Sequence, residues 1–188
     1  MAKPPVLRGK HVTLRPFKPD DILDRYNCGR NAEYVEMMGA DSQALPPLGL
    51  TEVKSWYTQM SRQPNCWAIE AEKACIGTAR IHGIDEAHLR GRYAIGIFDP
   101  SAWGLGLGTE ATRMVMRYAF ETLRLHRVDL RVLAFNDRAI ACYAKSGFSI
   151  EGYERESAWI DGAWHDDVIM STLDREYIML VKRWRLKK

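Results

Sequence analysis

Apolar residues recur along the chain in two patterns. In some segments they occupy every second position, which is typical of strands, and in others they recur about every 3.6 positions, which is typical of helices. Strand-like runs occupy residues 11–16, 66–71, 75–84, 93–98, 127–133, 148–160 and 163–173. Helical spacing predicts helices over 19–28, 31–38, from an N-cap at Thr51 through Met60, 106–123, 136–146 and from Arg175 onward. This order predicts a mixed α+β protein in which a sheet packs against helices.

Turn residues fix how several of these strands connect. The Glu72-Lys73 turn and a loop over 85–92 predict that the three central strands form an antiparallel meander. Asp161-Gly162 lies between the last two strands and is the strongest hairpin signal in the chain. The final helix is amphipathic, with Tyr177, Leu180, Val181 and Trp184 at helical spacing.

Composition is that of an ordinary globular protein and gives no domain boundary. The 188 residues are 46% apolar and 27% charged, which predicts one domain over 1–188, with a core over about 10–173 and a basic helix or tail over 175–188. The net charge is +3, but the last seven residues carry five positive charges, so the rest of the chain is slightly acidic. We therefore expect no nucleic-acid contact except through the tail.

The cysteines and the N-terminal segment indicate whether the protein binds a metal ion and in which cellular compartment it lies. Cys28, Cys66, Cys75 and Cys142 form no CxxC pair and have no metal-ligand spacing with the five histidines, so we expect no metal site and a reducing compartment. No signal sequence or membrane-length apolar run is evident. These features predict a cytoplasmic protein with no membrane partner.

The segment Trp103-Gly104-Leu105-Gly106-Leu107-Gly108-Thr109, which we call the glycine loop, precedes a predicted helix. Glycines allow close backbone approach, and a helix N-terminus offers free N–H groups, so the loop suits a phosphate or diphosphate. A dinucleotide fingerprint needs G-x-G-x-x-G, and a P-loop needs a lysine after the last glycine, so both fit poorly. A tight turn with a helix cap is the plainer interpretation.

A second motif, N-x-x-A-x-x-x-Y-x-K-x-G-F, occupies 136–148 after the next strand. The two motifs in this order resemble the GNAT superfamily of acetyl-CoA-dependent N-acetyltransferases, in particular its RimJ/RimL-like branch, over residues 10–173. The resemblance implies the GNAT fold: a twisted, mostly antiparallel central sheet flanked by helices, here with an extra C-terminal amphipathic helix. It also implies acetyl-CoA as the acetyl donor.

The resemblance implies roles for particular residues. The glycine loop would hold the diphosphate of coenzyme A through backbone groups of Leu105 to Thr109, while Ile95 and Ile97 lie on the strand that binds the pantetheine arm. The Ile97 N–H would polarise the thioester carbonyl, and Asn136 would bind the arm. Tyr143 would place its hydroxyl near the thioester sulfur. From the residues alone, Asn136 is equally a helix N-cap and Tyr143 a core tyrosine.

Transfer to an amine also requires a general base, because a protonated amine cannot attack. Related enzymes often carry a glutamate in an A-E-I-G run, but here Ala94 stands at that position. Glu36 is our candidate base, and the other substitutes are Asp85, Asp99 and Glu110. Cys142 adjoins Tyr143, but its helical phase predicts that it points elsewhere, so we expect direct attack by the amine.

The acceptor is expected to be an amine, first a protein or peptide N-terminus. An α-amine has a pKa of about 7.7–8.0 and needs less help from a base. The alternatives are a polyamine or aminoglycoside-type amine, or an acyl-CoA-binding module without catalysis. The acceptor mouth would comprise Tyr34, Glu36, Met37, Met38, Trp159, Asp161, Trp164, His165, Asp166 and Asp167. We expect a monomer or homodimer, and the basic tail could contact a ribosome-like surface, dock on the body or join a dimer.

Overall fold

One mixed sheet organises the fold in the computed structural model, which describes residues 3–43 and 45–186, with side chains described up to Lys182. The strands in this part of the chain are β1 (Leu7–Arg8), β2 (Thr13–Arg15), β3 (Cys66–Ala71), β4 (Ala74–Asp85), β5 (Arg90–Ile97), β6 (Arg127–Leu133), β7 (Ser149–Ile160) and β8 (Ala163–Leu173). The helices are α1 (Asp21–Asn27), α2 (Ala32–Met37), α3 (Leu50–Ser61), α4 (Leu107–Arg117), α5 (Asp137–Ser146) and α6 (Asp174–Leu186).

The strand order in the sheet is β1-β2-β3-β4-β5-β6-β8-β7. Every neighbouring pair is antiparallel except β5 and β6, which run parallel. The predicted meander over β3, β4 and β5 is confirmed, as is the hairpin at Asp161-Gly162, where both residues have positive φ. The arrangement is the predicted GNAT fold, with the additional C-terminal helix.

The parallel pair β5–β6 separates after three residues, and this gap positions the site. Pairing covers only Arg90–Arg92 against Arg127–Asp129. Beyond it, the Phe98 N–H donates to the Ile76 carbonyl of β4 at 3.0 Å. Because successive peptide groups of a strand point to opposite sides, the N–H groups of Ile95 and Ile97 point away from β4 into the gap.

Side chains of neighbouring strand residues enter two separate cores. In β3, Ile69 belongs to the main core, which also contains Val115 of α4, whereas Ala68 packs with Phe98 in a smaller cluster. Trp56 of α3 packs edge-on against Phe98 with ring centroids 5.8 Å apart. The alternation of the strand pattern therefore places α1 and α3 on one face of the sheet and α4 and α5 on the other.

Some predicted element starts differ from the structure by one to three residues, and one predicted helix changes its winding. Helix α3 begins at Leu50 because the Val53 N–H already donates to the Gly49 carbonyl at 3.1 Å, so Gly49, and not Thr51, is the cap. Strand β5 begins at Arg90, since the turn before it is shorter than the predicted loop. The helix after the glycine loop changes at Tyr118 into a π-helical turn that ends at Thr122.

The C-terminal helix α6 docks on the body of the protein, one of the three alternatives for the tail. The Tyr177 ring stacks on Phe120 with centroids 5.0 Å apart, and its hydroxyl donates to Glu121 Oε1 at 2.8 Å. The packed core thus extends past residue 173 to Val181, and at the other end to Leu7. The predicted contribution of the Trp184 side chain lies outside the described side chains, and those of Lys187 and Lys188 lie outside the described residues. None of the helices within 3–43 and 45–186 has the length and apolarity to cross a bilayer.

We expect Gly147→Ala to lower the free energy of unfolding by about 3 kcal/mol or more. Gly147 ends α5 with φ +102°, where an alanine costs about 1–2 kcal/mol. Its Cβ would also lie 2.1 Å from Leu180 Cδ1 of α6. Urea unfolding measures the change. Gly162→Ala is the matched control, because Gly162 has φ +84° and no atom within 4 Å of an added Cβ. Equal losses in the two variants would contradict tight docking of α6.

Candidate active site

A cavity of about 550 Å³ opens where β5 and β6 part. Main chain and side chains from both faces of the sheet line it. The lining comprises 93–97 of β5, 102–104 and 106–109 around the glycine loop, 131–133 of β6, several residues of α5 and its cap, Tyr34 and 37–39, Ala158 of β7 and Asp167 of β8. The two sequence motifs therefore meet at one cavity.

The glycine loop ends in a helix N-terminus whose N–H groups are free. Gly104 and Gly106 have φ of +75° and +80°, and no atom lies within 4 Å of a Cβ added to either. The first bond of α4 runs from the Glu110 N–H to the Gly106 carbonyl at 3.0 Å. Within the described residues, the N–H groups of Leu107, Gly108 and Thr109 make no hydrogen bond.

Such a row of free donors at the positive end of a helix fits a diphosphate. Only two of the three glycines are needed for the loop's backbone shape, because a Cβ at Gly108 would make ordinary contacts with Ile97 Cδ1 at 3.4 Å and Cys142 Sγ at 3.7 Å. Leu105 is 67% exposed and is not part of the cavity lining. The cradle consists mainly of the backbone from Gly106 onward.

Trp103 closes one end of the gap, a contact that the sequence analysis missed. Its indole Nε1 donates to the Ile97 carbonyl at 2.8 Å. The Arg138 guanidinium lies over the indole, 4.0 Å from the ring centroid, and donates to Glu33 Oε1 at 2.9 Å. The signal available in the sequence was the tryptophan itself, directly before the first glycine of the loop.

Asn136 is the N-cap of α5 and also lines the cavity. Its Oδ1 accepts the Ala139 N–H at 3.0 Å, which confirms the cap. The residue is buried, with 8% of its surface exposed. Its Nδ2 makes no hydrogen bond with any described residue, so this group remains available as a donor toward the cavity. The two interpretations of Asn136 are compatible.

Tyr143 is buried within an aromatic cluster, yet it also reaches the cavity wall. Its ring packs against Tyr93 and Phe148, with centroid distances of 6.2 and 5.8 Å. Burial raises the pKa of its phenol above the usual value of 10. The hydroxyl therefore stays protonated at neutral pH and can act as a hydrogen-bond or proton donor.

The prediction that Cys142 points away from the site was wrong. Cys142 lines the cavity, and its Sγ accepts a hydrogen bond from Thr109 Oγ1 at 3.4 Å. Helix α5 crosses the N-terminus of α4, so Ala139, Cys142 and Tyr143, which follow each other at helical spacing, all face the cavity. The positions of residues around α5 do not by themselves show where α4 crosses it, so the sequence did not reveal which of them face the cavity.

Asp167 of β8 is the one carboxylate among the described residues that line the cavity. Glu36 is partly buried on α2 but is not part of the lining, whereas the adjacent Met37 and Met38 are. Ala94 also lines the cavity and brings no carboxylate to it. The carboxylate that lines the cavity therefore lies on β8 and not on β5.

The other three substitutes for the base are engaged elsewhere. Asp85 accepts the His88 N–H at 3.1 Å, and Asp99 accepts the Ser101 N–H at 2.9 Å. Glu110 turns away from the cavity and accepts the N–H groups of Lys10 and His11. Their carboxylates stabilise turns and the N-terminal segment. In the described ranges, no group of three His, Cys, Asp or Glu side chains is arranged to hold a metal ion.

Apolar and aromatic groups dominate the wall opposite the glycine loop. The Tyr34 hydroxyl lies so close to β5 that a Cβ on Gly96 would be 2.8 Å from it. Arg25 lies beneath, with its guanidinium 4.8 Å from the Phe98 centroid, and burial lowers its pKa. Among the predicted hairpin residues of the acceptor mouth, Trp159 and Trp164 pack edge-on and are more than half exposed.

Comparison with known proteins identifies the class to which this fold and site belong. The family model described as the acetyltransferase (GNAT) domain matches residues 11–149. The chain belongs to the GNAT acetyltransferase family, whose members are N-acetyltransferases that use acetyl-CoA.

Several curated relatives are similar over most of the chain. The spermidine N(1)-acetyltransferase of Escherichia coli K12 is 27% identical over 168 residues, which are 89% of this chain and 88% of the relative. The probable N-acetyltransferase YjcK of Bacillus subtilis is 33% identical, with 90% of this chain and 97% of the relative covered. The [ribosomal protein uS5]-alanine N-acetyltransferase of Escherichia coli K12 is 32% identical over 99 residues, 52% of this chain and 50% of the relative.

A solved structure agrees with the fold. The spermidine N-acetyltransferase from Vibrio cholerae, in complex with CoA and spermine, superposes with a TM-score of 0.74 at 23% identity, covering 90% of this chain and 99% of that one. At this identity the likeness establishes the fold.

Proposed function

We propose that this acetyltransferase moves the acetyl group of acetyl-CoA to a primary amine by direct attack, with both substrates bound at the β5–β6 cavity. One observation carries the proposal: the free N–H groups of the glycine loop, the free N–H groups of β5 and the Tyr143 side chain all line the same cavity. Acetyl-CoA carries a diphosphate, two amides and a thioester in this order, and each of them requires one of these three kinds of group.

In this proposal acetyl-CoA, the acetyl donor, is bound mainly by main-chain groups. The N–H groups from Leu105 to Thr109 bind the diphosphate, with Gly104 and Gly106 shaping the loop and Trp103 at its start. Ile95 and the Asn136 amide bind the pantetheine arm. Since Leu105 lies outside the cavity lining, the backbone from Gly106 onward contributes most of this binding.

The acetyl group then lies beside Ile97 and Tyr143. The Ile97 N–H points into the gap and donates to the thioester oxygen, where negative charge develops as the amine attacks. The Tyr143 hydroxyl donates to the departing sulfur, which gains charge as the C–S bond breaks. The amine loses its proton to a carboxylate or to water, the C–N bond forms, and the acetylated amine and CoA are the products.

Asp167 and Glu36 are the two candidates for the base. Since Asp167 lines the cavity and Glu36 does not, we expect Asp167→Asn to lower kcat/KM about a hundredfold at pH 7, the lower end of general-base contributions, and Glu36→Gln to lower it less. The Asp167→Asn defect should shrink as the pH rises, because more of the amine is then uncharged. Steady-state rates across pH 6–9 measure both effects, and a larger loss in Glu36→Gln would reverse the assignment.

For the acceptor we propose a protein or peptide N-terminus. Among the described residues, the cavity lining offers one carboxylate, Asp167, whereas a polycation is attracted best by several. An α-amine is partly uncharged at neutral pH and needs less help from a base. The uS5-alanine N-acetyltransferase, a relative over half the chain, acts on a protein. Spermidine acetyltransferases, similar over nearly the whole chain, favour the polyamine alternative.

A thiol-release assay with an amine panel tests the proposal. Acetyl-CoA is offered with a peptide beginning with alanine, with spermidine and with an aminoglycoside, and CoA release is compared with hydrolysis. The fastest release with the peptide supports the proposed acceptor, whereas faster release with spermidine supports the alternative. Binding of acetyl-CoA by calorimetry without release above hydrolysis identifies an acyl-CoA-binding module. The absence of any heat at millimolar acetyl-CoA contradicts the whole account.

Four further expectations belong to the same proposal. The chain is one catalytic domain over 1–188 of the RimJ/RimL-like branch, located in the cytoplasm. It acts as a monomer or homodimer.

A further inference from the structure

The end of β5 differs from a normal strand edge in one respect. Ile97 presents both its N–H and its carbonyl to the gap, because both groups of a strand residue point to the same side. The carbonyl is already engaged, since the Trp103 indole N–H donates to it at 2.8 Å. The N–H has no partner among the described residues. The edge at Ile97 thus offers a ligand a donor and no free acceptor.

This asymmetry matters for acyl transfer. A free carbonyl oxygen beside the Ile97 N–H would repel the negative charge that develops on the thioester oxygen in the transition state. A donor on that carbonyl draws its electron density away from the site. The effect is specific to the transition state, because the ground-state thioester oxygen carries little charge.

We propose that Trp103 is a positioning residue that neutralises the Ile97 carbonyl and thereby makes the Ile97 N–H an effective oxyanion donor. The inference rests on the proposed acetyl transfer at this cavity. Trp103 acts through the backbone of Ile97 and is not required to touch either substrate.

The surroundings of Trp103 hold its indole in place for this task. Arg138 covers one face of the ring at 4.0 Å and is itself paired with Glu33 of α2 at 2.9 Å. A cation over an aromatic ring is attracted to its π-electrons and, by withdrawing density, strengthens the N–H as a donor. The contacts join four parts of the cavity wall: β5, the glycine loop, α5 and α2.

The test removes the indole N–H and keeps an aromatic ring. Trp103→Phe is compared with Trp67→Phe, a matched control: Trp67 Nε1 also donates to a carbonyl, that of Pro5, at 2.8 Å, and Trp67 lies in the core away from the cavity. Replacement of Trp103 by benzothienylalanine, which has sulfur in place of the N–H, repeats the test with the shape of the side chain retained.

We expect Trp103→Phe and the benzothienylalanine variant to lower kcat about tenfold, which corresponds to one lost hydrogen bond. The KM for acetyl-CoA should change less than about twofold, because the effect is confined to the transition state. The calorimetric Kd of CoA should also change less than about twofold, because CoA has no acetyl carbonyl. Trp67→Phe should lower the melting temperature and leave kcat unchanged.

Two results would overturn the inference. One is an unchanged kcat in both Trp103 variants, and the other is a raised KM or Kd with kcat retained, which would make Trp103 a residue for cofactor binding only. Failure of the proposed function is recognised separately, because the wild-type protein would then release no thiol above hydrolysis with any amine, whether or not it binds CoA.

Discussion

Gly106→Val is expected to weaken CoA binding by about a hundredfold or more. Gly106 caps α4 at φ +80°, which a β-branched residue adopts only at a cost of about 1–3 kcal/mol. The loop would relieve this strain by turning the N–H groups of Leu107, Gly108 and Thr109 away from the cavity. Because a hydrogen bond to a charged group contributes about 1.5–3 kcal/mol, losing one or two gives a change of this size. Calorimetric titration with CoA measures it.

Gly83→Val is the matched control for this variant. Gly83 has φ +57° and no atom within 4 Å of an added Cβ, and it lies in β4 outside the cavity lining. We expect this variant to lose stability and retain CoA binding. Wild-type affinity in Gly106→Val would rule out the glycine loop as the diphosphate cradle.

Tyr143→Phe is expected to lower kcat about a hundredfold, the lower range for a missing general acid, and to change the Kd of CoA less than about threefold. The ring contacts with Tyr93 and Phe148 stay, so only the hydroxyl is lost. Single-turnover rates and calorimetry separate the two quantities. Tyr118→Phe serves as the control, since the Tyr118 hydroxyl donates to Asn65 Oδ1 at 3.1 Å outside the cavity.

The pH dependence gives a second check on Tyr143. Burial raises the pKa of its phenol above 10, so the donor form is fully present at lower pH and is lost only as the pH rises through that raised value. The wild-type kcat should therefore not fall between neutral pH and about pH 10 through ionisation of Tyr143.

An unchanged turnover in the Tyr143→Phe variant would contradict the role of Tyr143 as the general acid.

Much of the fold was predictable because local signals coincide with its boundaries. Strands β3, β6 and β8 match the predicted runs at both ends. Asp161 and Gly162 adopt positive φ as a two-residue hairpin requires. Helix α5 begins and ends at its predicted cap residues, Asn136 and Gly147. Each of these signals depends on a few neighbouring residues.

The missed features depend on contacts between distant parts of the chain. Glu110 binds the N–H groups of Lys10 and His11, about one hundred residues away, so no local pattern showed that it faces away from the cavity. Cys142 enters the cavity wall because α5 crosses the start of α4. Asp167 was predicted for the acceptor mouth but not as a base, and it lines the cavity because β8 inserts between β6 and β7. Crossing points and strand order are set by packing of the whole sheet.

The β5–β6 gap has a consequence for how such enzymes diverge. On the donor side the proposed recognition uses peptide groups, which every amino acid carries, so substitutions there change little as long as the loop and the strand keep their shape. On the opposite side the proposed recognition of the amine uses side chains that line the cavity, such as Tyr34, Met38 and Asp167, which single substitutions replace outright. One scaffold can therefore retain its acetyl source over long evolutionary distances while its amine partner changes from one lineage to the next.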